Sequence, residues 1–274
     1  LADSVVVELV VGTGANDWVG ADSLNTVSVL LTGVVDATAA DTIRGSLEGL
    51  LSVTADAGVK RAGSVTLEVT DGLNNSATTL QADSVLGLSG RTAGVVDARG
   101  ADTIEGSFAQ LSALADSVDA GRVVLGAGVD VSLTLTGTSS VQATDLTALL
   151  GETAYDDVVV LGAQSVVGAL GDLVAVALEL DSVGAQDLVL TGTQAFVLAE
   201  SAGQRVAAES LKALDDVTTG EVFAQAADTV VVGMGPLHAS LLNRDSATVW
   251  FGDSVVLADS VVVELVVGTG ANDW

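Results

Sequence analysis

Residues 94–114 read GVVDARGADTIEGSFAQLSAL, and residues 33–53 read GVVDATAADTIRGSLEGLLSV. Each alternates apolar and polar residues over two short runs, then changes period. Gly94–Ala98 and Asp102–Glu105 have strand patterning with a bend between them. Ser107–Leu114 places apolar residues at 108, 111 and 114, which is helical spacing. The same grammar extends outward. Ser64–Thr70 is an alternating, β-branched strand closed by the turn residues Asp71-Gly72. Asp83 then opens a short helix, read here as its N-cap. Arg122–Leu125 and Asp130–Thr136 return to strand, and 144–150 and 208–214 are further helices. Val158–Leu178, the most apolar window, is broken by Gln164, Ser165 and Asp172. It reads as two strands and a helix of the same pattern, not as a membrane span.

One fixed step along the chain carries the stretch at 33 to the stretch at 94. The same step carries Ala21-Asp22-Ser23 to Ala82-Asp83-Ser84. Looking for such periods comes before any motif reading. Glycine landmarks fall at Gly45, Gly106, Gly168 and Gly233, spaced 61, 62 and 65. They define four diverged cassettes of roughly 64 residues each, the fixed-period self-similarity that marks repeat architectures. A second duplication lies over the first. Residues 1–18, LADSVVVELVVGTGANDW, recur without change as residues 257–274. The simplest reading makes 1–256 one super-repeat of a tandem array and 257–274 the start of the next. The alternative is a duplicated end that closes or permutes a domain.

A unit of about 30 residues cannot bury its apolar face alone, so neighbouring units must stack. The expected fold is therefore a repeat solenoid of parallel β-sheet coils with short interspersed helices. An all-β parallel solenoid, with the helical stretches as loops, is the alternative. Eight coils per period, at about 4.8 Å per stacked strand, would rise about 38 Å. Abundant Val and small residues suit buried parallel ladders, and a single Pro leaves them uninterrupted.

Composition narrows the function classes. The chain carries 36 Asp+Glu against 9 Lys+Arg, a formal net charge of −27. The overlap counts Asp259, Glu264 and Asp273 twice, so one period carries −24. Such a surface repels phosphates, which speaks against nucleic acid and anionic membranes as partners. The absence of Cys removes disulfides and thiolate metal sites. No motif pairs a nucleophile with a base, and no enzyme activity and no catalytic or cofactor-binding residue is expected. The one His, His238, has no His or Cys partner nearby in sequence. Asp156-Asp157 and Asp215-Asp216 read as solvated turns, and Asn74-Asn75-Ser76 as a chance glycosylation sequon.

Two sets of residues are candidates for binding. Gly12–Trp18 is similar to half of a Gly/Asp-rich calcium-binding turn. Calcium needs six to eight oxygen ligands, more than a single half-motif supplies, so the segment reads first as a Gly/Asn/Asp turn closing a strand; if calcium binds, Asn16, Asp17 and Asp22 are the metal candidates. Aromatics are only 3% of the chain. Trp18, its copy Trp274, and the pair Trp250-Phe251 gather near the join between super-repeats and are candidate interface residues.

The phrasing A-D-T-I-x-G-S-x-x-x-L-x-x-L at 101–114, and at 40–53 with Val53 in the last place, with related runs at 145–161 and 209–233, resembles tandem repeats of giant secreted bacterial cell-surface proteins. Those of cyanobacteria, haemolysin-like and type I-secreted, are the family meant. The resemblance implies an extracellular or cell-surface location and a structural or adhesive role, with no catalytic residues. It departs from true calcium β-rolls in lacking tandem nonapeptides. The expected function is a structural tandem-repeat unit of an extracellular fibre, sheath or surface layer that stacks end to end. Its expected partners are identical repeats, without membrane insertion, and polysaccharide or the cell surface. The alternative is a stalk or spacer of a calcium-responsive bacterial adhesin.

Overall fold

A computed structural model describes residues 6–9, 17–31, 33–73, 77–135, 140–181, 188–190, 194–199, 204–218, 220–233, 255–257 and 261–266. The chain divides into two compact units, Leu1–Thr134 with Glu152–Asp157, and Leu135–Gly151 with Val158–Trp274. Both are built of parallel β-sheets alternating with helices, without a closed barrel.

In the first unit the strands are β1 (Val6–Glu8), β2 (Trp18–Gly20), β3 (Val34–Ala37), β4 (Thr42–Gly45), β5 (Val59–Arg61), β6 (Thr66–Val69), β7 (Thr79–Gln81), β8 (Val96–Ala98), β9 (Thr103–Gly106), β10 (Val123–Leu125) and β11 (Asp130–Leu133). The helices are α1 (Ala21–Leu30), α2 (Leu47–Ala55), α3 (Ala82–Ser89) and α4 (Phe108–Asp119). Alternate strands pair. One sheet runs β2-β4-β6-β8-β10, another β1-β3-β5, and β7, β9 and β11 are neighbours. Thr42 pairs with Thr66 and Thr79 with Thr103, in register. The side-chain bonds Arg44–Glu68 and Gln81–Glu105 on these same strands span 24 residues of chain. Helices touch their successors, α1 on α2, α2 on α3 and α3 on α4.

In the second unit the strands are β12 (Ser140–Gln142), β13 (Val158–Val160), β14 (Ser165–Gly168), β15 (Leu188–Leu190), β16 (Ala195–Leu198), β17 (Gln204–Ala207), β18 (Val222–Ala224), β19 (Ala227–Gly233), β20 (Val255–Leu257) and β21 (Val262–Val266). The helices are α5 (Ala143–Leu150), α6 (Leu170–Asp181) and α7 (Ala208–Val217). Sheets run β12-β14-β16-β18-β20 and β17-β19-β21, and β13 pairs with β15. Here α5 packs on α6 and α6 on α7. The segment 158–178 is two strands and a helix, as its breaks predict. No described helix is long and apolar enough to cross a membrane. The helical stretches are helices, so the all-β alternative is set aside.

The core is the strand rows and the helix faces turned to them. Ile43, Leu67 and Val96 form one fully buried row in the first unit, and Val166, Phe196 and Val222 another in the second. In α4 the expected stripe is buried at Leu111 and Leu114 and continues to Ala115. Two kinds of helix start occur. Ser46 and Ser107 cap α2 and α4 through their side chains, Ser107 with Gln110 in a reciprocal capping box. By contrast α1, α3, α5 and α7 begin on a buried Ala straight after a strand, with no side-chain cap. The N-cap reading of Asp83 is thereby corrected. The cap position is Gln81, and Asp83 sits inside the first turn, where its charge suits the helix dipole.

Candidate functional surface

On the five-stranded sheet of the first unit, one outward row reads Gly20, Arg44, Glu68, Asp97 and Val124. Alternation along each strand puts these residues opposite the buried Ile43–Leu67–Val96 row. The row is a chain of charge contacts. Arg44 Nε donates to Glu68 Oε2 at 2.6 Å. Arg99, two residues beyond Asp97, donates to both oxygens of that carboxylate. That bond, more than the field of Arg44, holds the Asp97 carboxyl below its usual range. The Arg44 guanidinium carbon lies 5.3 Å from the centroid of the Trp18 ring. Trp18 is 53% exposed. Trp18 is thus a surface aromatic on the first strand of a sheet. Its sequence companions Trp250, Phe251 and Trp274 lie outside the described residues.

The corresponding outward row of the second unit is different. Gln142, Val167, Val197, Phe223 and Val256 follow one another across β12-β14-β16-β18-β20. Four of the five are apolar and half-buried. Sequence reading missed this contrast, because neither row is contiguous in the chain. The inner repeat that relates the sheets was the available signal.

The metal candidates are only partly placed. Asn16 is outside the described residues. The Asp17 carbonyl oxygen accepts from the Asp41 and Thr42 N–H groups at 3.0 and 3.2 Å, so its backbone is tied to the next rung. Asp22 is in the first turn of α1. Among the described residues, no group of three or more His, Cys, Asp or Glu is placed to hold a metal ion. His238 and the Asn74-Asn75-Ser76 sequon also lie outside the described residues. Of the paired aspartates, Asp216 accepts from Lys212 Nζ at 2.7 Å on α7, and the Asp156 N–H donates to the Val129 carbonyl.

An open cleft of about 610 Å³ lies against the start of α2, lined by Ser46, Glu48, Asp71, Thr79 and Ser84 among others. Its Asp71 carboxylate accepts from the Leu47 N–H at 2.6 Å and so satisfies a helix end. The cleft lining holds hydroxyls and carboxylates but no Lys, Arg, His or Cys. Each of the eight described Lys and Arg residues is engaged. Five pair with carboxylates, and Arg61, Arg91 and Arg122 donate to carbonyl or hydroxyl oxygens.

Comparison with family models, with curated proteins and with solved structures gives no match.

Proposed function

We propose that this chain is a structural unit of a secreted, acidic tandem-repeat protein, and that its work is to extend a fibre, sheath or surface layer. One observation carries the reading. Sheets in both units grow by adding parallel strands in register at near-regular steps along the chain, from β2 to β10 and from β12 to β20. A chain that adds strands at a near-fixed interval is a ladder with no built-in last rung. In this reading successive coils form a solenoid, and identical repeats stack end to end along it. The acidic flanks hold neighbouring fibres apart and soluble, and screening by salt or divalent ions lets them approach. Location outside the cell rests on the likeness to giant bacterial surface repeats and on a Cys-free, Pro-poor chain suited to export unfolded.

Electron microscopy of the native material tests this. Continuous filaments are expected, with an axial repeat set by one period, 1–256. Isolated compact particles would overturn it. Cell-anchored rods that stiffen only with calcium would replace it with the adhesin stalk.

A further inference from the structure

The sequence Val-Val-Glu-Leu-Val occurs twice, as residues 6–10 and 262–266, and the strands β1 and β21 within its two copies pair on opposite edges. As β1 it pairs with β3, with Val6↔Val34, Val7↔Val35 and Glu8↔Asp36. As β21 it pairs with β19, with Thr229↔Val262, Val230↔Val263 and Val231↔Glu264. Each is the outermost strand of a three-stranded sheet. We propose that in the array one copy of this strand does both jobs. The end of one repeat and the start of the next would then share a single five-stranded sheet, β17-β19-β21-β3-β5, with no linker between repeats. The proposal rests on the tandem-array reading above and names the surface by which a second copy joins.

Strand position supports it. In the sheets that begin at β2 and at β12 the first strand runs directly into an Ala-started helix, as β2 runs into α1 and β12 into α5. The fourth strand follows that type of helix, as β8 follows α3 and β18 follows α7. By these marks β17, which runs into α7, is a first strand, and β19 is a second. β3 and β5 follow helices α1 and α2 and are a fourth and a fifth. Among the described residues the sheet β17-β19-β21 lacks strands four and five, and β1-β3-β5 lacks strands one and two. The strand they have in common is the third.

Hydrogen-bond direction agrees. In a parallel sheet the peptide groups of successive residues face alternate neighbours. On the third strand β6, the Thr66 N–H donates back to the Asp41 carbonyl and the Leu67 N–H donates forward to Val95. On β16, Ala195 donates back to Gln164 and Phe196 forward to Glu221. The copy in β1 shows the forward set alone, with Leu9 N–H donating to the Asp36 carbonyl at 3.0 Å. By the same alternation, residues 262, 264 and 266 serve β19 and leave 263 and 265 to face outward.

Side chains agree as well. Joining the copies gives a row Val230–Val7–Val35, matching Ile43–Leu67–Val96. The two flanking valines are fully buried already, whereas Val7 is only half-buried. Val6 is 62% exposed and its copy Val262 is 59% exposed, each lacking a neighbour on one side. On the outer face, Glu8 stands beside Asp36, an unfavourable like-charge pair. Lys60 reaches Asp36 at 3.1 Å, and at the far end Arg205 reaches Glu264 at 2.5 Å. In the joined sheet both cations would act on one row, with Arg205 neutralising the Glu and Lys60 of the next repeat the Asp.

The test is amide exchange on two molecules. In the chain of 274 residues, labelled for magnetic resonance, the copies should be mirror images. Val7 and Leu9 should exchange slowly and Glu8 fast, whereas Glu264 should be slow and Val263 and Leu265 fast. The same pattern in both copies would overturn the proposal. The second molecule is two full periods followed by residues 257–274. Its middle copy carries Ala258→Ser so that mass spectrometry distinguishes its peptides. There Val263 and Leu265 should slow at least about 100-fold relative to the last copy. Middle and last copies exchanging alike would sink the shared strand and leave separately folded beads, a result compatible with an array. Loss of filaments in the microscope with the middle copy still protected would sink the fibre and leave the junction standing.

Discussion

At the scale of single residues, the glycine landmarks have a steric cause. A Cβ placed on Gly45 would lie 2.6 Å from the Cβ of Ala21, on Gly106 it would lie 2.9 Å from that of Ala82, and on Gly168 2.7 Å from that of Ala143. In each case the glycine ends a strand, and the alanine starts the helix that follows the previous strand of the same sheet. Glycine and alanine therefore form a matched pair, small against small, where the chain turns from sheet to helix. The glycines were legible as a period in the sequence, but their partners were not, since an Ala one whole rung upstream carries no local signal. Gly45→Ala should lower unfolding stability by about 1–3 kcal/mol through overpacking. Adding Ala21→Gly should restore part of that loss, a favourable coupling of about 0.5 kcal/mol or more between the sites. Urea unfolding of the four combinations measures it. Strict additivity would show that the contact is not the reason for the glycine.

Besides the backbone ladders, elements are tied together by side chains that span one rung. Asn25 to Gly49, Arg44 to Glu68, Lys60 to Asp36, Thr78 to Asp102, Gln81 to Glu105 and Thr218 to Gln194 are all bonds across 24 residues. At Asp36, hydrogen bonds from Thr38 and then from Lys60 hold the carboxyl down to about 2. The strands and helices of these rungs were legible from period and turn chemistry. Pairing was not. The repeats LTLTGT at 133–138 and LVLTGT at 188–193 look equivalent in sequence but begin at different places in their strands. Leu133 ends a strand paired with β9, whereas Leu188 begins one paired with β13. One tether joins a loop to a helix instead. The Tyr155 hydroxyl donates to the Leu111 carbonyl of α4 at 2.5 Å. Burial, then the charge of Glu152, pushes this phenol above its ordinary range. A folded-state acid held neutral loses stability once the unfolded chain ionises, here as pH rises past about 10. The chain has one Tyr, so its phenolate absorbance is unambiguous. It should stay flat through pH 10 and rise only with unfolding, while Tyr155→Phe should cost about 1 kcal/mol at neutral pH. A free titration of the folded chain near pH 10 would remove the tether.

For the whole molecule the governing quantity is charge, and two effects of salt oppose each other. Five ion pairs are present among the described residues, all with partly exposed partners. Pairs of this kind are worth about 0–1 kcal/mol each, and salt weakens them. Against them stands a charge of −27 on 274 residues, with 36 acids facing 9 bases. With four acids for each base in the sequence, acid–acid repulsion outnumbers acid–base attraction and disfavours the compact chain. Salt screens repulsion and attraction alike, over about 8–10 Å near physiological strength. The balance therefore follows the numbers, and the acids left without a base are several times more numerous than the pairs. The thermal midpoint of the single chain should accordingly rise as sodium chloride increases from about 10 mM to about 500 mM, where the Debye length shortens several-fold. A falling midpoint would mean that attraction within the ion-pair rows outweighs repulsion among the acids. In the proposed fibre the same screening would act between neighbours, so the rise in stability and the onset of lateral association should occur over one range of salt.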